Sequence, residues 1–550
     1  MRQQSFMDQA FVAKAERLTP TLRERRAEPV RIIEAEAERT ALHGWKVRET
    51  GKAEALRTRA LSKGDSFVVD FGDHQVGYLT FKLRSEEARA DAPVRLKLIF
   101  GEMPVEIGES FDTYDGWLDR SWLQDEIVNL DVVPGTYTLP RRYSFRYLKV
   151  EVLTPARKFK VAFDELFVTS VSSADLAAVP ALPDSVPEDL RELDRISVRT
   201  LQDCMQTVFE DGPKRDRRLW IGDLRLQALV NYETFRNMDL VKRCLYLFAG
   251  LRLPGGQVSA CVYEKPEPSA DDIYLYDYSL FFIAALHDYY EASGDRATLE
   301  ELWPIALEQV HLSLERLDER GLVKDDPSWY CFTDWHDDLN KQASAQAVLI
   351  YGMKRAVAIA DWLGGASGDR AGRETASAQE RKEAQAQAEA EAEAEAYRKQ
   401  ADALRKQIDR VSAAALEHLR DPETGFFASG AGRQVSWASQ VWMVLADVLP
   451  REENAALLDR LFADNPEVRP MTPYMFHHLV EALLAAGRRE KALEQMRAYW
   501  GEMARDGADT FWEVYNPSDK NNSPYGSNLI NSYCHAWSCT PAYLIRKHFR

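Results

Sequence analysis

The sequence predicts a multidomain chain, an N-terminal antiparallel β-sandwich followed by an all-α barrel. Three observations predict it. Between about residues 55 and 172 the chain is a series of β-branched and aromatic runs, among them SFVVDFG, QVGYLTFKLRS, VRLKLIFGE and YSFRYLKVEVL, punctuated by Gly, Pro, Asp and Asn. No helical pattern separates these runs, which points to antiparallel pairing rather than a parallel sheet. Beyond residue 190 the apolar period switches to i, i+3, i+4 in roughly a dozen segments, with few strands between them. Paired helices in such number build an α/α barrel or a solenoid, and no sequence repeat supports a solenoid.

Taken in order, residues 1–45 contain AKAERL, LRERRAEP and RIIEAEAERT and read as a charged helical N-terminal segment. The β-sandwich occupies 46–172. Residues 173–190 are rich in Pro and Ala and read as a linker. Residues 191–550 form the helical barrel, with a low-complexity helical insertion at about 366–405. Positions 386–396 hold only Ala, Glu and Gln. Such a composition favours helix, but strict alternation spreads charge around the whole circumference. The insertion is therefore expected to project as a solvated arm without a buried stripe. It is either a contact within a homo-oligomer or a tolerated insertion.

Composition excludes several functions. With 70 Lys and Arg against 87 Asp and Glu, the net charge of −17 opposes a nucleic-acid partner and an anionic membrane surface. The 6 cysteines include no CxxC pair, so neither a disulfide framework nor a zinc ribbon is present. The N-terminal stretch has no apolar h-region, and no apolar run of about eighteen residues occurs, so the reading is cytoplasmic. G-x-S-x-G, GxxxxGK[ST] and HExxH are all missing, and no metal or cofactor is called for. His477 and His478 are neighbours on a helix and face different directions. Cys534 precedes His535, but adjacent residues rarely make a nucleophile–base pair.

The chemistry lies in four clusters where a carboxylate or His adjoins Trp or Tyr. The densest runs from Phe209 to Asp223, with Asp211, Asp216 and Asp223 interleaved with Arg215, Arg217 and Arg218 around Trp220. Gly212-Pro213 breaks the preceding helix, and Asp223 stands where a helix N-cap would. The others are Trp329–Asp338 with Asp334 and Trp335, Thr510–Asn516 with Glu513, and Asn531–Ser538 with His535 and Trp537. Loops of an α/α barrel gather at one end, so the four are expected to converge on one pocket. Carboxylates beside aromatic platforms suit glycosidic bond cleavage. One carboxylic acid protonates the leaving oxygen, a second carboxylate activates water or attacks C1, and further acids hold hydroxyls. For each of these residues the competing reading is a core aromatic or a structural ion pair.

At these clusters the sequence resembles the glycoside hydrolase family 78 α-L-rhamnosidases. The resemblance covers nearly the whole chain. It implies β-sandwich domains joined to a six-hairpin (α/α)6 barrel, and hydrolysis of terminal α-L-rhamnose with inversion on a small carbohydrate substrate. DFGDHQVGYLTFKL and LKLIFGE are similar to the accessory sandwich. The cluster 211–223, FTDW at 332–335, FWE at 511–513 and CHAW at 534–537 are similar to the barrel motifs.

One departure matters. Counting forward from Asp211, the position of the family's acidic Glu holds Arg217, which cannot donate a proton at neutral pH. Counting backward from Asp223, it holds Asp216, one methylene shorter, and this register also matches Arg217, Trp220 and Gly222. The resemblance then implies Asp216 as general acid, with Asp211 its rival, and Glu513 as general base. It implies substrate contacts for Arg215, Trp220, Asp223, Asp334, Trp335, His535 and Trp537. DGPKRDR resembles a variant branch of the family. The missing Glu leaves two alternatives: a catalytically silent sugar-binding relative, or a six-hairpin glycosidase of different sugar specificity.

Overall fold

Strict alternation makes the sheet. In Val94–Gly101 the residues Val94, Leu96, Leu98 and Phe100 are fully buried while Arg95 is exposed, so one strand face builds the core. The computed structural model describes residues 6–154, 158–326, 330–365 and 378–550. Its principal sheet has nine strands: β1 (Arg23–Ala27), β2 (Arg31–Ala37), β3 (Trp45–Lys52), β4 (Ser66–Glu86), β5 (Val94–Gly101), β6 (Asp125–Leu130), β7 (Gly135–Thr138), β8 (Tyr143–Thr154) and β9 (Lys160–Ser172). Every pairing is antiparallel, in the order β1-β9-β4-β8-β5-β6, with β2 joining β3 to β4 and β7 pairing with β4. The register of the long strand β4 against β8 shifts between Asp70 and Gln75. Such an irregularity bends a strand, and the sheet buries a core that includes Phe67, Leu79, Phe81, Phe100, Phe145, Leu148 and Phe163.

The N-terminal expectation is corrected. Among the described residues of 1–45 the α-helix is Gln9–Arg17, Leu42–Gly44 is a short 3-10 turn, and Arg23–Ala27 and Arg31–Ala37 are strands. Ala, Glu and Arg favour helix locally, but pairing overrides them. Ile32 and Ile33 are buried, and Glu34 and Glu36 meet Arg48 across the sheet. The sheet therefore begins at Arg23 rather than at 46.

The chain falls into two compact units. The first comprises Met1–Thr19, Leu219–Tyr232 and Asn237–Met496; the second comprises Pro20–Arg218, Glu233–Arg236 and Arg497–Arg550. This division does not follow the linker at 173–190, where a short 3-10 turn at Leu176–Ala178 precedes the helix Glu188–Cys204. That helix belongs with the sheet. Its Asp203 carboxylate lies 2.8 Å from Nδ1 of His74, and its Asp194 takes a two-pronged ion pair from Arg546 of the C-terminal helix Pro541–His548.

In the first unit, consecutive helices form hairpins: Ile221–Glu233 with Met238–Gly250, Tyr276–Ser293 with Arg296–Leu314, Gln342–Gly365 with Ala378–Ala414, and Trp437–Leu445 with Arg451–Asp464. Tight connections follow from capping. Gly294 ends one helix in the left-handed region, and Asp295 caps the next by accepting from the Thr298 N–H. The first helix of each pair is largely buried around its circumference, as in 221–231, 276–289 and 343–353, which marks inner helices. Among the described residues no helix is long and apolar enough to cross a membrane.

The solvated-arm expectation is also corrected for the part described. Residues 366–377 of the insertion lie outside the described residues. Farther along, Ala394, Ala401, Leu404 and Val411 form a narrow buried stripe. Arg398 donates to the Gly364 carbonyl at 2.9 Å, and Arg405 pairs with Asp361 at 2.6 Å, fixing the helix against Gln342–Gly365. Small alanines let the two helices approach closely, and the charged positions stay outward.

Candidate active site

Three of the four clusters meet in the second unit, tied by backbone hydrogen bonds. The Glu513 N–H donates to the Ser532 carbonyl at 3.0 Å, the His535 N–H to the Phe511 carbonyl at 2.9 Å, and the Ala536 N–H to the Asp211 carbonyl at 3.0 Å. Gly212 is required at this crossing, since a Cβ there would lie 2.6 Å from the Ser532 hydroxyl and from the Arg215 carbonyl. The fourth cluster, with Asp334 and Trp335, belongs to the first unit, as do Trp220 and Asp223.

Asp211 shapes the loop that follows it. Its buried carboxylate accepts from the Asp216 N–H at 3.2 Å and the Arg218 N–H at 3.0 Å, one on each oxygen. Arg217 within the loop has a positive φ of 62°, a strained conformation for a non-glycine residue that these bonds help to hold. Burial, then the nearby Arg142, lowers the Arg217 guanidinium to about 10.

Arg215 is the hub. Its buried guanidinium donates to Glu513 Oε2 at 2.6 Å and to the Ile530 carbonyl at 2.7 Å, lies 4.1 Å from the centre of the Tyr525 ring, and reaches Asp216 Oδ1 at 3.8 Å. Burial opposes its charge, but Glu513, Tyr525 and Asp216 together hold it above its ordinary value. Asp216 is partly exposed and lies 3.9 Å from Arg218 on its other oxygen. Arg217 turns elsewhere, its Nε donating to the Lys214 carbonyl at 3.2 Å.

Each carboxylate oxygen of Glu513 has a side-chain partner, Arg215 on the first. Its second oxygen accepts the Tyr525 hydroxyl, and its backbone carbonyl accepts the Trp537 indole N–H at 3.0 Å. Burial pushes the carboxyl up, but Arg215, then His535 and the Tyr525 hydrogen bond, bring it below its ordinary value, so it stands ionised. Trp537 is buried and positions Glu513; its ring lies 4.8 Å from that of His535. Cys534 is buried beside them, and burial raises it well above an ordinary thiol, which leaves it unsuited to nucleophilic attack.

In the first unit Asp223 is buried in the opening turn of the helix Ile221–Glu233 rather than at its N-cap, a correction that follows from Trp220 pairing as a strand with Cys261 up to the helix start. Asp334 is buried and accepts from the Met471 N–H at 2.8 Å, the Thr472 N–H at 3.1 Å and the Thr472 hydroxyl at 2.6 Å. It thereby anchors its loop to the start of the helix Pro473–Ala485. Burial raises its carboxyl. Trp335 borders a cleft of about 650 Å³ with Tyr330, His336, Asp337 and Lys341.

Sequence reasoning missed Tyr525, Lys214 and Glu106. Tyr525 lies in the polar Asn- and Ser-rich loop after the third cluster, where nothing but its aromatic character marks it. Glu106 lies in the β domain, far from any cluster in sequence.

Comparisons with known proteins identify the family. Residues 29–170 match the N-terminal domain of glycosyl hydrolase family 78 alpha-rhamnosidases, and residues 185–549 match the bacterial alpha-L-rhamnosidase six-hairpin glycosidase domain. The chain belongs to glycoside hydrolase family 78. It is thus an enzyme of the α-L-rhamnosidase type, with the predicted β domain and helical glycosidase region in that order. A solved rhamnosidase from Klebsiella oxytoca, described with rhamnose bound, is 47% identical, with a TM-score of 0.90 over 99% of this chain and 100% of that one. The family 78 rhamnosidase of Bacillus sp. GL1 is 22% identical, with a TM-score of 0.70 over 91% of this chain and 49% of that one. The Streptomyces avermitilis α-L-rhamnosidase is 16% identical, with a TM-score of 0.61 over 96% of this chain and 44% of that one. The last two share the fold, and this chain spans about half their length. No curated protein matches.

Proposed function

We propose that this family 78 member is an inverting exo-glycosidase that releases terminal α-L-rhamnose from small glycosides, with Asp216 as general acid and Glu513 as general base. One observation carries the assignment. A single guanidinium, that of Arg215, contacts both carboxylates unequally, at 2.6 Å for Glu513 and 3.8 Å for Asp216. The direct ion pair favours an ionised Glu513, ready to draw a proton from water. The more distant and more exposed Asp216 is the carboxylate left to face the leaving oxygen. Both carboxylates sharing one guanidinium is compatible with the roughly 6.5–9.5 Å spacing that leaves room for a water between an inverting pair. The sugar class is supported by the Klebsiella oxytoca relative.

Arg215 remains protonated throughout and acts by orienting Glu513, while Asp211 holds the loop that presents Asp216. All six cysteines are free thiols, which fits a reducing compartment and a cytoplasmic location.

The deciding experiment is a panel of aryl glycosides, with proton NMR of the anomer released. Turnover of the α-L-rhamnoside with an inverted anomer is expected. A retained anomer would exclude the water-activating role of Glu513. Binding without turnover on every sugar would favour a silent sugar-binding relative, and turnover of another sugar alone would reassign the glycone.

A further inference from the structure

Among the described residues Trp117 is the only exposed tryptophan, with 66% of its surface accessible. It lies in the β domain, on the loop between the turns Phe111–Thr113 and Arg120–Trp122. An exposed indole on a long loop is ordinarily free to move, but this one is pinned. Its Nε1–H donates to the Pro524 carbonyl at 2.8 Å, its backbone N–H donates to the Tyr525 carbonyl at 3.3 Å, and its ring lies 5.6 Å from the Tyr525 ring. Tyr525 in turn donates its hydroxyl to Glu513. Gly116 makes the approach feasible, because a Cβ there would lie 2.6 Å from the Tyr114 hydroxyl and 2.7 Å from the Tyr525 carbonyl. Tyr114, held by a bond from its hydroxyl to the Leu118 carbonyl at 2.7 Å, lies within the electrostatic reach of Arg215.

Folding leaves this indole wet although holding it costs conformational freedom, and no core contact accounts for its exposed face. We propose that Trp117 is the aglycone platform of the active site, a flat surface supplied by the β domain on which a ring of the leaving group stacks. The proposal rests on the reading of the chain as an exo-acting rhamnosidase. An exo-enzyme encloses the terminal sugar, so groups that hold that sugar are buried, as Arg215 and Glu513 are. A rigid aromatic surface that stays exposed one residue beyond this wall faces what projects out of the pocket, the aglycone. Its chemistry fits an aryl group or the apolar face of a second sugar, and it requires no charge complementarity.

The test compares methyl α-L-rhamnoside with rhamnosides whose aglycone is an aryl group or a second pyranose, together with inhibition by free L-rhamnose. Trp117→Ala is expected to lower kcat/KM about 3- to 10-fold more for the ring-bearing aglycones than for the methyl glycoside, the range that an aromatic stack supplies. Inhibition by L-rhamnose should stay at the wild-type level. Trp117→Phe, which keeps a ring but loses the bond to Pro524, should retain most of the discrimination. Equal losses on all substrates with weakened L-rhamnose inhibition would place the ring against the enclosed sugar and overturn the proposal. So would Trp117→Phe as impaired as Trp117→Ala, which would mark an anchor of the loop, or an absence of any change. A wild-type protein that turned over no rhamnoside would instead remove the functional reading, and this proposal with it.

Discussion

Lys214 and Glu106 form a fully buried ion pair, Nζ to Oε1 at 2.5 Å, between the loop that carries Arg215 and Asp216 and the short helix Pro104–Gly108 of the β domain. The ammonium also donates to the Leu529 carbonyl at 3.0 Å and the Asn531 carbonyl at 2.8 Å. The β domain thereby braces the loop that carries the proposed acid. Glu106 spends its other oxygen on the backbone N–H groups of Glu102 and Met103.

This pair gives a pH prediction. Burial, aided by the charge of Glu102 and opposed by Lys214, pushes the Glu106 carboxyl up from 4.5 to about 7. The folded state therefore holds this proton more tightly than the unfolded one. The stability it contributes is complete below pH 4.5 and is lost as pH rises through about 7. Glu106→Gln has the shape of the protonated form at every pH. Its unfolding free energy relative to that of the wild type should therefore rise from pH 4.5 to pH 8, although losing the carboxylate also leaves the Lys214 ammonium without its counter-charge. Urea unfolding at the two pH values checks this, and a difference that does not rise contradicts it.

Arg215 gives a second pH prediction, in the opposite direction. Burial alone would raise Glu513, and Arg215 is the largest influence that brings it below 4.5. A base that must be ionised then keeps working below the usual carboxylate range. Arg215→Ala should move the acidic limb of the kcat/KM profile to higher pH and lower kcat. Arg215→Lys, which keeps the charge without the planar fork, should move the limb less. An unmoved limb in Arg215→Ala would show that Glu513 is not the group titrating there.

Tyr525 tunes the same carboxylate by a single hydroxyl. Tyr525→Phe removes a hydrogen bond to a charged acceptor, a contact worth about 1.5–3 kcal/mol, and should reduce kcat by roughly 10- to 100-fold. The acidic limb should shift upward with it, because the bond helps to lower Glu513. A stability loss without either kinetic change would assign Tyr525 to packing alone.

The parts legible in the sequence were those written in local periodicity. The alternation of Val94–Gly101 and the helical spacing after residue 190 gave the two architectures in order, because burial imposes a period on each. Arg23–Ala27 and Arg31–Ala37 misled because their Ala, Glu and Arg prefer helix alone, and only pairing makes them strands, the first with Val168–Ser172 and the second with Val68–Asp70 and Trp45–Lys52. The AEAEAE tract misled for the converse reason, since Ala394 looks like part of a uniform repeat until a neighbouring helix covers it. At the candidate site, the meeting of the loop holding Asp211, Arg215 and Asp216 with Glu513 was expected because each sets a carboxylate near Trp. Glu106 and Tyr525 were not, because a partner at a separation of 108 residues for Lys214 and Glu106 leaves no local pattern.

The choice between Asp216 and Asp211 as the acid comes down to what each carboxylate is already doing. Asp211 accepts two backbone N–H groups of the loop, and Asp211→Asn would keep only one oxygen to accept them. The loop should shift, with a stability cost of about 1–3 kcal/mol and a loss of activity that is similar for every leaving group. Asp216 accepts no backbone bond of that kind, and its oxygens lie at 3.8 and 3.9 Å from Arg215 and Arg218. Asp216→Asn should therefore leave stability nearly unchanged. It should cost about 10²–10⁴-fold on rhamnosides with poor leaving groups and far less on activated aryl rhamnosides, which need little protonation. A plot of log kcat/KM against leaving-group pKa, steeper for Asp216→Asn than for the wild type, is the expected result. The steeper slope in Asp211→Asn instead would make Asp211 the proton donor and Asp216 a partner of the two arginines.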